Sequence, residues 1–195
     1  MPGTTAQPQS AETLEVVAST LRERRTIAMF EERPVDRETI MQAIEVARWA
    51  PNHRLTEPWR FYLVGEKARE ATLHWVEVVT TEKANAEVGA RKAGKWAKVP
   101  GWLLVTCKRS DDALLEQEDY AACACAIHNL SLYLWRAGIG MKWSSGAITR
   151  DARYLKALGI DEDNEFVVGL ISYGYPKIVP TQKRRPVDDI AVNLP

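Results

Sequence analysis

The sequence predicts an α+β fold, and three observations carry the prediction. The first is one long apolar helix over residues 119–137: Tyr120 to Ile127 contains no charge, and Leu130 to Trp135 is interrupted only by Ser131. The second is a set of short apolar strands, Phe61–Val64, Trp102–Cys107 and Phe166–Ser172, the last with Gly169 at its centre. The third is their order. Helices come first, the strands are scattered between helices, and no Gly-rich phosphate loop opens a helix after a strand. The absence of G-x-G-x-x-G argues against a dinucleotide-binding Rossmann domain.

The long helix organises the rest. A helix apolar on every side must be covered on every side, by its own chain or by a partner. At 1.5 Å per residue it runs roughly 28 Å. Asp119 is placed at its positive end, Arg136 at its negative end, and Gly138 offers the stop. Asp119, His128, Asn129 and Arg136 interrupt the run of apolar residues that a membrane span requires. Ala121, Ala122, Ala124 and Cys125 are small enough to let another helix approach closely.

With 195 residues the chain fits one domain with a sizeable core: residues 1–12 read as a flexible polar tail and 13–195 as a single domain. Lys and Arg total 26 and Asp and Glu total 26, so no general charge draws the chain to nucleic acid or anionic lipid. Cys107, Cys123 and Cys125 lie in apolar surroundings, which suits a reducing, cytoplasmic setting rather than a disulfide framework.

Taken in order, Leu14, Val17, Ala18 and Leu21 have helical spacing and lead into Arg24-Arg25-Thr26. That pair of arginines reads either as a solvated helix end that complements the dipole or as an anion clamp, with the Thr26 hydroxyl as an added donor. Asp36 caps a helix whose buried stripe is Ile40, Ala43, Ile44 and Ala47, and Pro51 stops it. Pro51 and Pro58 then fix both ends of a polar loop that holds Asn52, His53, Arg54, Thr56 and Glu57. Residues 66–98 read as helical, with Leu73, Val76 and Val79 spaced for burial and a basic run over 91–98. No metal site is expected. The three histidines are dispersed, and Cys123 and Cys125 diverge by about 200 degrees on a helix, which leaves each as a small buried hydrophobe. No Ser-His-Asp arrangement is legible.

Four blocks in order resemble the nitroreductase family of FMN-dependent oxidoreductases. They are Arg24-Arg25-Thr26 with Phe30 and Arg33-Pro34-Val35; residues 47–61, reading ARWAPNHRLTEPWRF; the long helix ending in Gly138-Ile139-Gly140 and followed by Trp143-Ser144-Ser145-Gly146; and Val168 to Pro176 with the segment from Lys183 to Asp189. The resemblance spans about Leu14 to Asp189, and residues 66–99 carry no recognised motif. It implies helices around a central, mostly antiparallel sheet and a homodimer built through the long helix, with FMN at the subunit interface. It also implies hydride transfer from NAD(P)H through flavin N5, in a ping-pong cycle, to a small-molecule electron acceptor such as a nitroaromatic or quinone. In such an enzyme the cofactor carries the chemistry, so no side chain is singled out as catalytic.

By the same resemblance Arg24, Arg25 and Thr26 hold the phosphate and ribityl end and the pyrimidine edge of FMN. Trp49 and His53 come from the other subunit. Trp143, Ser144 and Ser145 line the flavin, and Lys183 and Arg184 reach the phosphate, although this last pair also reads as a surface basic run. Trp96, in the basic run, pairs positive charge with an aromatic that could meet a flavin edge; a solvated helix face is the plainer reading. Three positions depart from the family pattern: Ala28 stands where a second cation is common, Leu55 where an amide is common, and Glu57 adds an acid near a site that stabilises negative charge. Two alternatives stand beside this reading: another flavin reaction, such as oxygen-dependent cleavage of the flavin, and a flavin-binding or interaction protein without turnover, which the departures at Ala28 and Leu55 keep in view.

Overall fold

The computed structural model describes residues 8–194. Six helices, α1 (Ala11–Glu23), α2 (Arg37–Ala47), α3 (Glu66–Lys83), α4 (Ala86–Ala97), α5 (Ala113–Arg136) and α6 (Ala152–Ala157), surround four strands, β1 (Trp59–Leu63), β2 (Gly101–Lys108), β3 (Gly140–Ser144) and β4 (Glu165–Gly174). The strands form one antiparallel sheet in the order β1-β2-β4-β3. This is the α+β architecture that the order of elements predicted.

The sheet is buried on both faces. On one, Leu103, Val105 and Ile171 meet Ile127, Leu130 and Leu134 of α5 and Ala43 and Ala47 of α2. On the other, Trp102, Leu104 and Leu170 meet Val76 of α3 and Tyr154 and Leu155 of α6. Burying each such leucine contributes about 2 kcal/mol. The polar atoms that this burial carries inward are paired: Trp102 Nε1 donates to Ser172 Oγ at 3.1 Å, and the Tyr154 and Thr72 hydroxyls share a bond of 3.0 Å.

Four boundaries differ from the sequence reading, each for a local reason. Helix α1 begins at Ala11, inside the expected tail, because Ser10 Oγ accepts from the Thr13 amide at 3.2 Å; residues 1–7 of that tail lie outside the described residues. Helix α5 begins at Ala113 rather than Asp119, because the Asp112 carboxylate accepts from the amides of Leu114 and Leu115. Asp119 is therefore not a terminal residue but a buried one in mid-helix. Residues 66–98 form two helices, since Asn85 caps α4 by accepting from the Val88 amide at 3.0 Å. The strand β3 had no apolar run to announce it; Gly140, Met141, Lys142, Trp143 and Ser144 are held as a strand by pairing with β4.

Helix α5 is covered by its own chain on all but one stripe. Leu114, Gln117, Ala121, Cys125 and His128, which recur at three- and four-residue spacing, are exposed. Cys123 is buried, whereas Cys125, expected inside, is exposed. The apolar residues of α1 are likewise uncovered: Leu14, Val17 and Leu21 are exposed, and its one buried residue is Thr20. Among the described residues, no helix is long and apolar enough to cross a membrane.

Candidate functional site

The residues after α1 leave the helix extended and lie along β3. Thr26 forms a parallel bridge with Met141, and the Ile27 amide donates to Met141 O at 3.0 Å. The approach is close because residue 140 is glycine: a Cβ there would meet Ile27 Cγ1 at 2.3 Å. Further on, Phe30 bridges Pro176, Glu31 N donates to Tyr175 O at 2.9 Å, and Lys177 N donates to Met29 O at 3.0 Å. The first sequence block is thus clamped between the block that follows α5 and the one that ends β4. Arg33 lies over the Tyr175 ring at 4.0 Å and fastens the same corner.

This arrangement concentrates positive charge. Arg24 is half-buried, and its Nε has no hydrogen-bond partner among the described residues. Its guanidinium is held below its ordinary basicity, first by burial and then by the charges of Arg184 and Arg25. Arg184 comes from the segment after β4, so its charge acts on Arg24 from the far end of the sequence. Arg25 behaves differently: its Nη1 donates to the carbonyls of Arg22 and Arg24, so it also serves the end of α1. The two readings of the arginine pair therefore divide between its members. Arg25 has the helix-end contacts, while Arg24 is a partly desolvated cation with no anionic partner among the described residues. His128 of α5 faces the same group, its imidazole pushed toward the neutral form by burial and then by Arg24. Lys183 and Arg184 are exposed, as is Thr26.

Trp143 and Ser144 continue along β3 from this charged corner. The Trp143 indole donates to Val168 O at 3.0 Å. That carbonyl is set apart by a break in register, where Val105 pairs with Gly169 and Thr106 with Val167, leaving Val168 as an extra residue on β4. Val168 also lines a cleft of about 490 Å³, walled in part by Ser145, Thr149, Tyr120 and Phe166.

Trp49 and His53 belong to a second group at the other end of α5. His53 Nδ1 lies 2.5 Å from Glu118 Oε2, and Thr56 Oγ1 donates to Asp119 Oδ1 at 2.5 Å. The Glu57 amide donates to Asn52 Oδ1 at 3.0 Å. Arg54, Leu55 and Glu57 all have positive φ, a strained conformation for residues with side chains. Leu55 is 82% exposed and Trp49 is 74% exposed, its indole donating to Glu45 and its ring facing the Arg48 guanidinium at 5.5 Å. Glu118 and His128 are ten residues apart on α5, about 15 Å along the axis. Within one chain, the ten residues singled out in the sequence therefore fall into two separated groups.

Three participants were not singled out for these roles in the sequence. Glu118 and Asp119, adjacent on α5, anchor the strained loop, and His128 joins the cationic corner. Only a correct register for α5 could have found them, and that register depended on the Asp112 cap. Trp96 has a structural place instead, 5.8 Å from the Trp102 ring.

Comparison with known proteins gives a consistent result. A sequence model of the family described as "Nitroreductase family" matches residues 21–175. YfhC of Bacillus subtilis, a protein named for NAD(P)H nitroreductase activity, is 36% identical over 179 residues, covering 89% of this chain and 92% of that protein. A nitroreductase-like family protein from Bacillus cereus superposes with a TM-score of 0.84 at 24% identity, over 98% of this chain and 99% of that one. The structure of the FMN-dependent nitroreductase NfnB from Mycobacterium smegmatis in complex with NADPH superposes with a TM-score of 0.76 at 15% identity, over 94% of this chain and 100% of that one.

Proposed function

The chain belongs to the nitroreductase family, and we propose that it is an FMN-dependent oxidoreductase that takes hydride from NAD(P)H and delivers it to an electron-poor small molecule such as a nitroaromatic or a quinone. The observation that carries the reading is the Arg24 corner. A half-buried guanidinium whose Nε has no partner among the described residues, its basicity lowered first by burial and then by Arg184 and Arg25, is unfavourable in the protein alone and favourable once a dianion sits among them. A flavin phosphate meets that demand. NfnB and a Desulfovibrio desulfuricans protein of the same fold carry FMN in the names of their structures.

FMN, held by these residues, would supply the hydride chemistry at its N5 position. The chain's part is to bind, orient and exclude water. Arg24 and Arg184 take the phosphate, with Lys183 at the outer edge. Thr26, on the extended segment beside β3, offers a hydroxyl to the ribityl chain or the pyrimidine edge. Ser144 ends β3 and Ser145 follows it, and Trp143, pinned to Val168 O, gives the slot a flat wall.

The same reading makes the protein a homodimer whose two sites each draw on both subunits. The exposed stripe of α5 has the small residues Ala121 and Cys125 at its middle. Two copies packed antiparallel across that point set the His53 end of one α5 beside the Arg24 and His128 end of the other. The groups that one chain holds about 15 Å apart would then meet across the interface. Uncovered apolar residues on α1 and in the last segment, Ile178, Val179, Ile190 and Val192 among them, support a large contact.

Steady-state kinetics with NADPH and a quinone or nitroaromatic acceptor test the reading. Parallel double-reciprocal lines are the expected result, because both substrates use one slot in turn. A flavin-loaded protein that passes no electrons from either nicotinamide cofactor to either acceptor overturns it.

A further inference from the structure

We propose that a second cleft, next to the extended segment that follows Thr26, is a binding subsite for the 2′-phosphoadenosine end of NADPH and sets a preference for NADPH over NADH. The inference rests on the FMN-dependent reading above. The cleft measures about 780 Å³ and is lined by Ala28 to Glu32, by Lys95, Lys98 and Val99 at the end of α4, and by Lys177. Its volume suits a ligand of nucleotide size.

Three features select the ligand class. Met29, Phe30 and Val99 give an apolar floor suited to a flat base. Lys95 and Lys98 lie three residues apart and so share one side of the helix end, while the backbone of Lys177, a third lining residue, is held by the hydrogen bond that its N–H donates to Met29 O. None of the three ammonium groups makes an ion pair or hydrogen bond among the described residues, so a phosphate does not have to displace an existing partner. Glu31 and Glu32 are on the same rim, where a carboxylate can accept from a ribose hydroxyl or an exocyclic amine. Three cations against two carboxylates favour a sugar that carries an added phosphate over one with hydroxyls alone.

Position links the cleft to the reaction. Ala28 is two residues beyond Thr26, about 7 Å along an extended chain. The backbone from Thr26 to Glu31 is extended, bonded first to Met141 and then to Tyr175. A nicotinamide cofactor with its ring at the flavin can thus run its other end along this segment toward the lysines. This also gives a role to α4, the part of the chain without a family motif.

The test uses the flavin-loaded protein and compares flavin reduction by NADPH and NADH. The expected kcat/KM ratio is at least about tenfold in favour of NADPH, and the double substitution Lys95→Met with Lys98→Met brings it toward one by raising KM for NADPH. Replacing both lysines by arginine preserves the preference. Lys92→Met, which removes a like charge outside the cleft, leaves the ratio unchanged. As a second readout, adenosine 2′,5′-bisphosphate should bind the flavin-free protein more tightly than 5′-AMP, and the lysine-to-methionine double variant should lose that difference. Equal reduction by both cofactors, or a double variant that weakens both equally, overturns the subsite while leaving the FMN reading intact. A protein that neither binds FMN nor is reduced by either cofactor overturns both.

Discussion

The indole of Trp143 lies directly over Gly169, so close that a Cβ on residue 169 would meet Nε1 at 2.1 Å. The glycine is therefore what permits the bond from Trp143 to Val168 O and the orientation of the tryptophan beside Ser144 and Ser145. Gly169→Ala should cost about 1–3 kcal/mol, the usual penalty for forcing a group into a packed site, read as a lower urea midpoint. It should also weaken FMN binding, because the displaced ring no longer forms the wall. Unchanged flavin affinity in a destabilised variant would mean that Trp143 does not touch the cofactor.

Arg24→Ala should weaken FMN binding by about tenfold to a hundredfold, the range for losing one or two charge-assisted hydrogen bonds. The fold should survive, since α5 and the sheet supply the core. Arg25→Ala should have the smaller effect on FMN, because part of its bonding serves the end of α1. Titration of each flavin-free variant, followed by tryptophan fluorescence, gives the comparison. Equal losses would place both arginines on the phosphate.

A pH dependence follows from His128, whose imidazole is lowered below its ordinary value by burial and then by Arg24. Above the unfolded value of about 6.5, both folded and unfolded states are neutral at this residue and no penalty exists. As the pH falls through that value the unfolded chain takes up a proton that the folded chain resists, so stability is lost until the folded value is reached. The flavin-free protein should therefore lose more stability than His128→Asn between about pH 7.5 and pH 5.5. Urea midpoints measured at both pH values check this, and parallel losses would remove His128 from the charged corner.

The proposed packing of α5 can be read chemically. Cys107 and Cys123 are buried, and Cys125 is exposed on the single chain but set beside the second copy by the proposed crossing. Mild oxidation should therefore link two chains through a disulfide between their Cys125 residues at low protein concentration, and a maleimide should label Cys125 slowly in the intact dimer. Cys125→Ser should abolish the linked species. Rapid labelling of the intact protein, with no linked dimer on oxidation, would contradict an antiparallel crossing centred on this residue.

Much of the fold was legible because apolar pattern and burial coincide. The strands β2 and β4 are largely apolar, and Ile40, Ala43 and Ala47 keep helical spacing on α2. Strand β3 was not legible, since its five residues are strand only through pairing with β4. The start of α5 was misplaced because Asp119 looks like a terminal acid, whereas its carboxylate is buried and occupied by Thr56. In the site, Arg24 and Arg184 were found through resemblance, but their mutual proximity is a matter of tertiary structure: the segment after β4 folds back past Thr26 and Met29. The grip of Glu118 and Asp119 on the strained loop had no sequence signal at all, because positive φ at Arg54, Leu55 and Glu57 is not written in residue type.

The most direct measurement is an absorption spectrum of the protein loaded with FMN, taken before and after anaerobic addition of NADPH. The account predicts a bound-flavin spectrum that bleaches on addition and returns when a quinone is supplied. A protein that takes up no FMN, or whose flavin spectrum is unchanged by NADPH and NADH alike, would contradict it.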